Sequence, residues 1–146
     1  YGLDVTAAEI DAASAATRAH ILAFLRSLPS HLVLDAGRLV VAHTGLPERL
    51  HGRASTRLRQ LAAYGPPGAA DPTDPTKRHP WVKDYTGNAA VVYGHTPVAE
   101  PTWTRETIDI DTGCVFGGRL TALRWPERTV ISVPSHRKYA ELGRSF

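Results

Sequence analysis

Three polar residues stand where apolar runs end against small residues. His43 closes Leu39-Val40-Val41-Ala42-His43-Thr44-Gly45, and His95 closes Val91-Val92-Tyr93-Gly94-His95-Thr96-Pro97. Asp111 opens Asp111-Thr112-Gly113 directly after Thr107-Ile108-Asp109-Ile110. A neutral imidazole is the commonest transition-metal ligand, and its second ring nitrogen needs an orienting partner. Gly45 lets the chain turn after His43, Gly94 permits close backbone approach before His95, and Thr96-Pro97 fixes the exit direction. Such features suit a metal site on the rim of a sheet. The two histidines are remote in sequence, so only a sheet that gathers their strand ends can make one site of them. The plainer alternative for each is a histidine that ends a strand. For Asp111 it is an aspartate that caps the following turn. In the functional reading Asp111 is an acid–base or metal-orienting carboxylate beside the imidazoles. Asp109 alternates with it and is expected to put one carboxylate on each side of the strand.

Weaker candidates surround these three. Arg53, in His51-Gly52-Arg53-Ala54-Ser55, lies at an expected helix start, where a guanidinium and backbone amides would suit a phosphate. A solvated arginine is the plainer reading. Gly113-Cys114-Val115-Phe116-Gly117-Gly118 holds three glycines, which predicts close backbone packing or a bulge. Its spacing is not that of a phosphate-cradling P-loop. Cys114 has no base beside it in sequence and reads as an inert thiol. His20, His31, His51, His79 and His136 lack the strand-end context and read as surface or structural.

The elements that must position these groups follow from periodicity. Thr6 and Glu9 suggest a capping box, and Ile10, Thr17, Ile21, Leu22, Phe24, Leu25 and Leu28 continue at helical spacing until Pro29. This predicts helix from Thr6 to Ser27, with a break near Ser14. Leu32-Val33-Leu34 and Leu39-Val40-Val41 flank Asp35-Ala36-Gly37-Arg38 and predict a hairpin. A short helix is expected from Ser55 to Ala63, with Leu58, Leu61 and Ala62 inward. Five prolines between Pro66 and Pro80 predict a surface loop. Ala89 to Tyr93 reads as a strand covered on both faces, and Thr107 to Ile110 as another. Leu120–Trp125 and Thr129–Val133 bracket Pro126-Glu127-Arg128 as a second hairpin. The segment after Pro134 is polar and is expected to fray.

Composition limits the alternatives. The 146 residues suit one domain or part of one, and 42% hydrophobic content is ordinary for a globular core. The net charge is +3 without a basic run, which argues against a dedicated nucleic-acid arm. The single cysteine excludes an internal disulfide. No apolar run reaches the roughly 18 residues of a membrane span, and no leader is evident. A cytoplasmic location is therefore expected. The chain starts at Tyr1 and holds no methionine, so a fragment of a longer protein is expected.

Taken in order, Val-Ala-His-Thr-Gly, Val-Val-Tyr-Gly-His-Thr-Pro-Val and Ile-Asp-Thr-Gly-Cys-Val-Phe-Gly-Gly-Arg-Leu-Thr-Ala-Leu-Arg resemble the calcineurin-like binuclear metallophosphatases. Leu123-Arg124-Trp125-Pro126-Glu127-Arg128, Ser132-Val133-Pro134 and Leu28-Pro29-Ser30-His31 extend the resemblance, which runs from about Gly2 to Val133. Within the family the motifs look most like the phosphatase module of bacterial polynucleotide kinase-phosphatases. A subgroup signature shared with diadenosine tetraphosphate hydrolases makes those the alternative. The resemblance implies an α/β fold, a layered α/β/β/α sandwich with mixed sheets, of which residues 1–146 would be the C-terminal half.

It further implies that His43 and His95 ligate a metal and that Asp111 acts beside the metal and its water. Arg53 is a weaker carry-over toward substrate phosphate. Two divalent ions are implied in the intact domain, Mn2+ being the expected species and Ni2+ or a similar ion the alternative. The implied substrates are phosphorylated nucleic-acid ends, RNA above all, or small phosphate esters. Kinase and ligase modules in the same polypeptide are possible partners, as is the missing first half of the domain. The family's earlier motifs (Asp-x-His, Gly-Asp-x-x-Asp and Gly-Asn-His) do not occur here, and the Pro66–Pro80 insert departs from the usual pattern, which Trp81, Asp84, Tyr85 and Gly87 resume. The chain alone is thus expected to be inactive. A non-catalytic binding module on the same scaffold is the reading of a different class.

Overall fold

The computed structural model describes residues 3–65 and 81–141. Helix α1 spans Leu3–Ala12 and α2 spans Ala15–Ser27. The expected break falls where Ser14 caps α2, its Oγ accepting the Thr17 N–H at 3.1 Å. The capping box does not hold: α1 already runs at Leu3, so Thr6 lies inside it. Neither helix buries a residue. Leu22, Phe24, Leu25 and Leu28 stay exposed and Ile10 and Ile21 are half-buried, so most of the periodic apolar stripe is uncovered among the described residues.

The hairpin follows as β1 (Leu32–Leu34) and β2 (Leu39–Val41), turned by Asp35 and Ala36 in the left-handed region and Gly37 at φ +88°. Helix α3 (Thr56–Tyr64) starts at Ser55, whose Oγ accepts the Leu58 N–H, and buries Leu58 and Ala62. Strands β3 (Ala90–Tyr93), β4 (Trp103–Thr104) and β5 (Thr107–Asp109) complete a five-stranded mixed sheet ordered β1-β2-β3-β5-β4. Its three middle strands are parallel, and the two edge strands run antiparallel to their neighbours. The predicted second hairpin is β6 (Arg119–Arg124) with β7 (Thr129–Pro134), a separate antiparallel pair. The Pro66–Pro80 loop lies outside the described residues.

Alternation along the strands divides the core into layers. One face of the main sheet gathers Val40, Val91 and Tyr93 with Ala89, Trp81 and Tyr85. The opposite face gathers Leu39, Ala90, Val92 and Ile108, packed against Leu123 and Trp125 of the second hairpin region. The two sheets therefore stack through an apolar layer, as the mixed-sheet sandwich requires. A third cluster, Ala42, Leu46, Leu58 and Ala62, seats α3 beneath the turn that follows β2. Edge strand β1 leaves Leu32, Val33 and Leu34 all exposed.

The segment after Pro134 does not fray at once. Ser135 N–H bonds to Gly118 O, and Tyr139 and Ala140 N–H both reach Val115 O, which docks the segment on the glycine-rich turn. That turn is as tight as its glycines predict. A Cβ at Gly118 would lie 2.1 Å from the Thr112 carbonyl oxygen.

Candidate metal centre

The site follows from strand polarity. β2, β3 and β5 are adjacent and parallel, so their carboxyl ends share one rim. β2 ends at Val41, β3 at Tyr93 and β5 at Asp109, so His43, His95 and Asp111 each sit two residues beyond a strand end. In open α/β sheets that rim is where ligands bind. His95 is the middle member. The Gly94 N–H donates to His43 O at 2.9 Å, and the Val98 N–H donates to Asp111 O at 2.9 Å. A Cβ at Gly94 would lie 3.0 Å from Asp111 Cβ, so only glycine fits comfortably between these turns.

The imidazoles meet. His43 Nε2 and His95 Nδ1 are 2.9 Å apart, with ring centroids at 4.8 Å and planes at 75°. Both side chains are exposed, which leaves the pair open to solvent. His95 holds φ at +79°, a left-handed conformation that costs a non-glycine residue on the order of 1 kcal/mol. Strain of that kind persists where the surrounding structure fixes a side chain in place.

The donor chemistry fits a divalent cation. His43 Nε2 and His95 Nδ1 face each other at hydrogen-bond distance, and a cation held by both would take the place of that hydrogen bond. Among the described residues no group of three or more His, Cys, Asp or Glu gathers around such a point. The pair therefore supplies one side of a coordination shell.

Asp111 is in the neighbourhood and is also engaged in its own turn. Its Oδ1 accepts the Gly113 N–H at 3.0 Å, the turn-capping role foreseen as its plainer reading. The expected placement of Asp109 and Asp111 on opposite sides of one strand does not hold, because the strand stops at Asp109. Asp109 Oδ1 accepts the Asp111 N–H at 2.9 Å, which curls the chain past the rim. Asp109 is buried, and burial pushes its carboxyl up to about 7. The Asp111 N–H bond opposes that rise and the Asp111 charge adds to it. Tyr93, opposite Asp109 in the sheet register, is pushed up to about 12, first by burial and then by Asp109. Sequence alone gave Asp109 no more than an alternation argument. Its signal was a carboxylate inside an apolar strand.

Arg53 is not brought to the pair by any described contact. Its N–H bonds to Leu50 O, and its side chain is exposed on a cleft of about 550 Å3 between the Leu28–His31 stretch and the start of α3. His31 spans that cleft: its Nε2 accepts the Gly52 N–H at 2.9 Å. His51 Nε2 donates to Leu46 O at 3.0 Å, so both histidines are structural, as expected. His20 and His136 are exposed, and His79 lies outside the described residues. Cys114 is a half-buried free thiol.

Comparison with known proteins points one way. No family profile matches the chain. It is 42% identical to bis(5'-nucleosyl)-tetraphosphatase PrpE (asymmetrical) of Anoxybacillus flavithermus, across 100% of this chain and 62% of that protein. The same-named protein of Geobacillus thermodenitrificans is 43% identical over the same shares. That of Bacillus thuringiensis is 41% identical over 92% of this chain and 57% of its own length. A crystal structure described as that of a "putative diadenosine tetraphosphatase" superposes with a TM-score of 0.60 at 27% identity, covering 77% of this chain and 54% of that one. The chain thus spans about three fifths of the length of the curated relatives it matches, 62% for the first two. By sequence and by its mixed α/β fold, the chain is a homologue of bis(5'-nucleosyl)-tetraphosphatases over that part of their length.

Proposed function

We propose that this chain contributes the His43–His95 side of a metal-dependent phosphoesterase centre that cleaves dinucleoside polyphosphates. The observation that carries the reading is the convergence of the two imidazoles, 2.9 Å apart, at the carboxyl ends of parallel strands. The names carried by its relatives support the substrate class. Those names favour the dinucleotide alternative over phosphorylated RNA ends, and no basic stripe or arm favours nucleic acid.

His43 Nε2 and His95 Nδ1 would hold a divalent cation. Nitrogen and oxygen donors without thiolate suit Mn2+ or a similar ion. When bound, such an ion polarises a phosphoryl oxygen and activates water. The chain's own residues do the rest of the positioning. The His43 carbonyl, bonded to Gly94 N–H, locks the two histidine turns together. Asp111, whose Oδ1 is held by the Gly113 amide, would offer its other oxygen to a proton or a water at the rim. Asp109 holds the Asp111 backbone in place. Arg53 would serve substrate phosphate only if the substrate reached across to its cleft. The single thiol fits a reducing compartment.

The test is hydrolysis of diadenosine tetraphosphate and of 5'- and 3'-phosphorylated RNA, with Mn2+. The chain is assayed alone and supplemented with the portion of the Anoxybacillus relative that lies outside the alignment. Metal-dependent cleavage of the dinucleotide is expected in the supplemented protein, with His43→Ala and His95→Ala each lowering turnover at least a hundredfold. Faster release of phosphate from RNA would favour end-healing instead. Full activity in both histidine variants would overturn the metal assignment.

A further inference from the structure

The second sheet reaches the Asp111 turn through three hydroxyls. Thr112 and Thr121 are buried, and Ser132 is the register partner of Thr121 across β6 and β7. Thr112 Oγ1 lies 2.6 Å from Arg119 O and 2.6 Å from Thr121 Oγ1, and Thr121 Oγ1 lies 2.7 Å from Ser132 Oγ. Each of these contacts needs one proton, each hydroxyl carries one, and a carbonyl carries none. Only one assignment satisfies them all. Thr112 donates to Arg119 O, Thr121 donates to Thr112, and Ser132 donates to Thr121. The chain of bonds therefore points from β7 through β6 to the residue after Asp111. Thr112 is clasped through its backbone as well, because its carbonyl accepts the Arg119 N–H at 3.0 Å.

We propose that Thr112 and Thr121 are positioning residues for Asp111, tying its turn to the second sheet. The inference rests on the reading in which Asp111 serves the phosphoesterase centre. Three bonds hold Asp111 from within the rim. Its N–H donates to Asp109 Oδ1, its carbonyl accepts the Val98 N–H, and its Oδ1 accepts the Gly113 N–H. The hydroxyl chain is the side-chain tie from the next residue into β6 and β7, so it fixes the same turn from outside. On the other flank Asp111 Cβ packs on Gly94, where an added Cβ would lie 3.0 Å away, and the Gly94 N–H holds His43 O. Asp111 is thus held between the Gly94 turn and the Thr112 clasp. Packing alone does not call for hydroxyls here. Valine at 112 and 121 would fill similar space with no polar atom to satisfy, whereas each buried hydroxyl is costly unless bonded. A directed chain supplies orientation, and small misplacement of a reacting group is costly in rate.

Amide hydrogen exchange in the chain alone reads the turn. Thr112→Val should speed exchange of the Gly113 N–H about tenfold, the loss of one hydrogen bond. The Val91 N–H, bonded to Glu106 O in the core, should keep its protection, and Thr112→Ser should restore that of Gly113. Thr121→Val leaves the Thr112–Arg119 bond in place and should speed Gly113 exchange about threefold, which decides the matter where Thr112→Val does not fold. In the supplemented protein with Mn2+, Thr112→Val should lower kcat for the dinucleotide about tenfold with KM unchanged, and Thr112→Ser should recover it. Leu123→Ala weakens the packing of the same hairpin on the main sheet and keeps its hydroxyls, so it should leave kcat as it was. Gly113 exchange that keeps step with Val91 in every variant, or an equal loss of kcat in Leu123→Ala, would overturn the inference. Dinucleotide hydrolysis with unaltered Gly113 exchange in Thr112→Val defeats the inference and leaves the reaction standing. Altered exchange without hydrolysis by the unsubstituted protein defeats the reaction and leaves the tie on the Asp111 turn.

Discussion

Replacing Asp109 with asparagine should stabilise the protein at alkaline pH and not at acid pH. Asp109 is 8% exposed, and burial raises its carboxyl from an ordinary 3.8 to about 7. Between those values the folded chain holds a proton that the unfolded chain has released. Stability therefore falls as pH rises through that window, and the full penalty is present above about 7. A difference of about three pH units sets a ceiling of about 4 kcal/mol. Asparagine keeps a carbonyl oxygen for the Asp111 N–H, observed at 2.9 Å, and never ionises. Its added amide needs a partner in a buried place, which costs about 1 kcal/mol or more. A net gain of about 1–2 kcal/mol at pH 8 is expected, with none at pH 4. Urea unfolding followed by tryptophan fluorescence measures it, with chelator present because a nearby cation would draw the proton off. An Asp109→Asn effect that is the same at both pH values would refute the claim that this carboxyl is held protonated by burial.

Three further outcomes follow from particular residues. His95→Gly should be more stable than His95→Ala by about 1 kcal/mol in urea, because the φ of +79° strains alanine and not glycine. His31 is held below its usual pKa, first by burial and then by the His51 charge, and its Nε2 accepts the Gly52 N–H. Its contribution is therefore present above about pH 6.5 and lost as pH falls through its lowered value, so Gly52 amide protection should drop on acidification and His31→Gln should flatten that response. Gly45→Ala should cost about 2 kcal/mol or more and shift the Trp81 emission, since position 45 combines φ +76° with a 2.0 Å clash against the indole.

Strand periodicity made the parallel core legible. Ala90–Tyr93 is buried on both faces, as an unbroken apolar run announces, and the three polar residues sit just past their strand ends. The sheet order was not legible, because pairing of β3 with β5 rather than with β4 depends on contacts that no local pattern encodes. Thr6 and Glu9 imitated a helix start because Thr-x-x-Glu also occurs inside helices. The role of Asp109 was hidden for a related reason. Its importance comes from burial beside Tyr93 and Asp111, which is a property of the packed sheet. In the sequence Trp81 and Tyr85 stood out only as residues that resume the family's pattern after the proline-rich insert. That the Trp81 indole packs under Gly45 and Tyr93, the neighbours of the two histidines in sequence, depends on the packed sheet.

The most direct measurement is a Mn2+ titration followed through the histidine imidazole resonances. Paramagnetic broadening should reach His43 and His95 first and together, at concentrations that leave the exposed His20 and His136 sharp. Broadening of all exposed histidines at the same Mn2+ concentration would show that the paired imidazoles share a proton and nothing more.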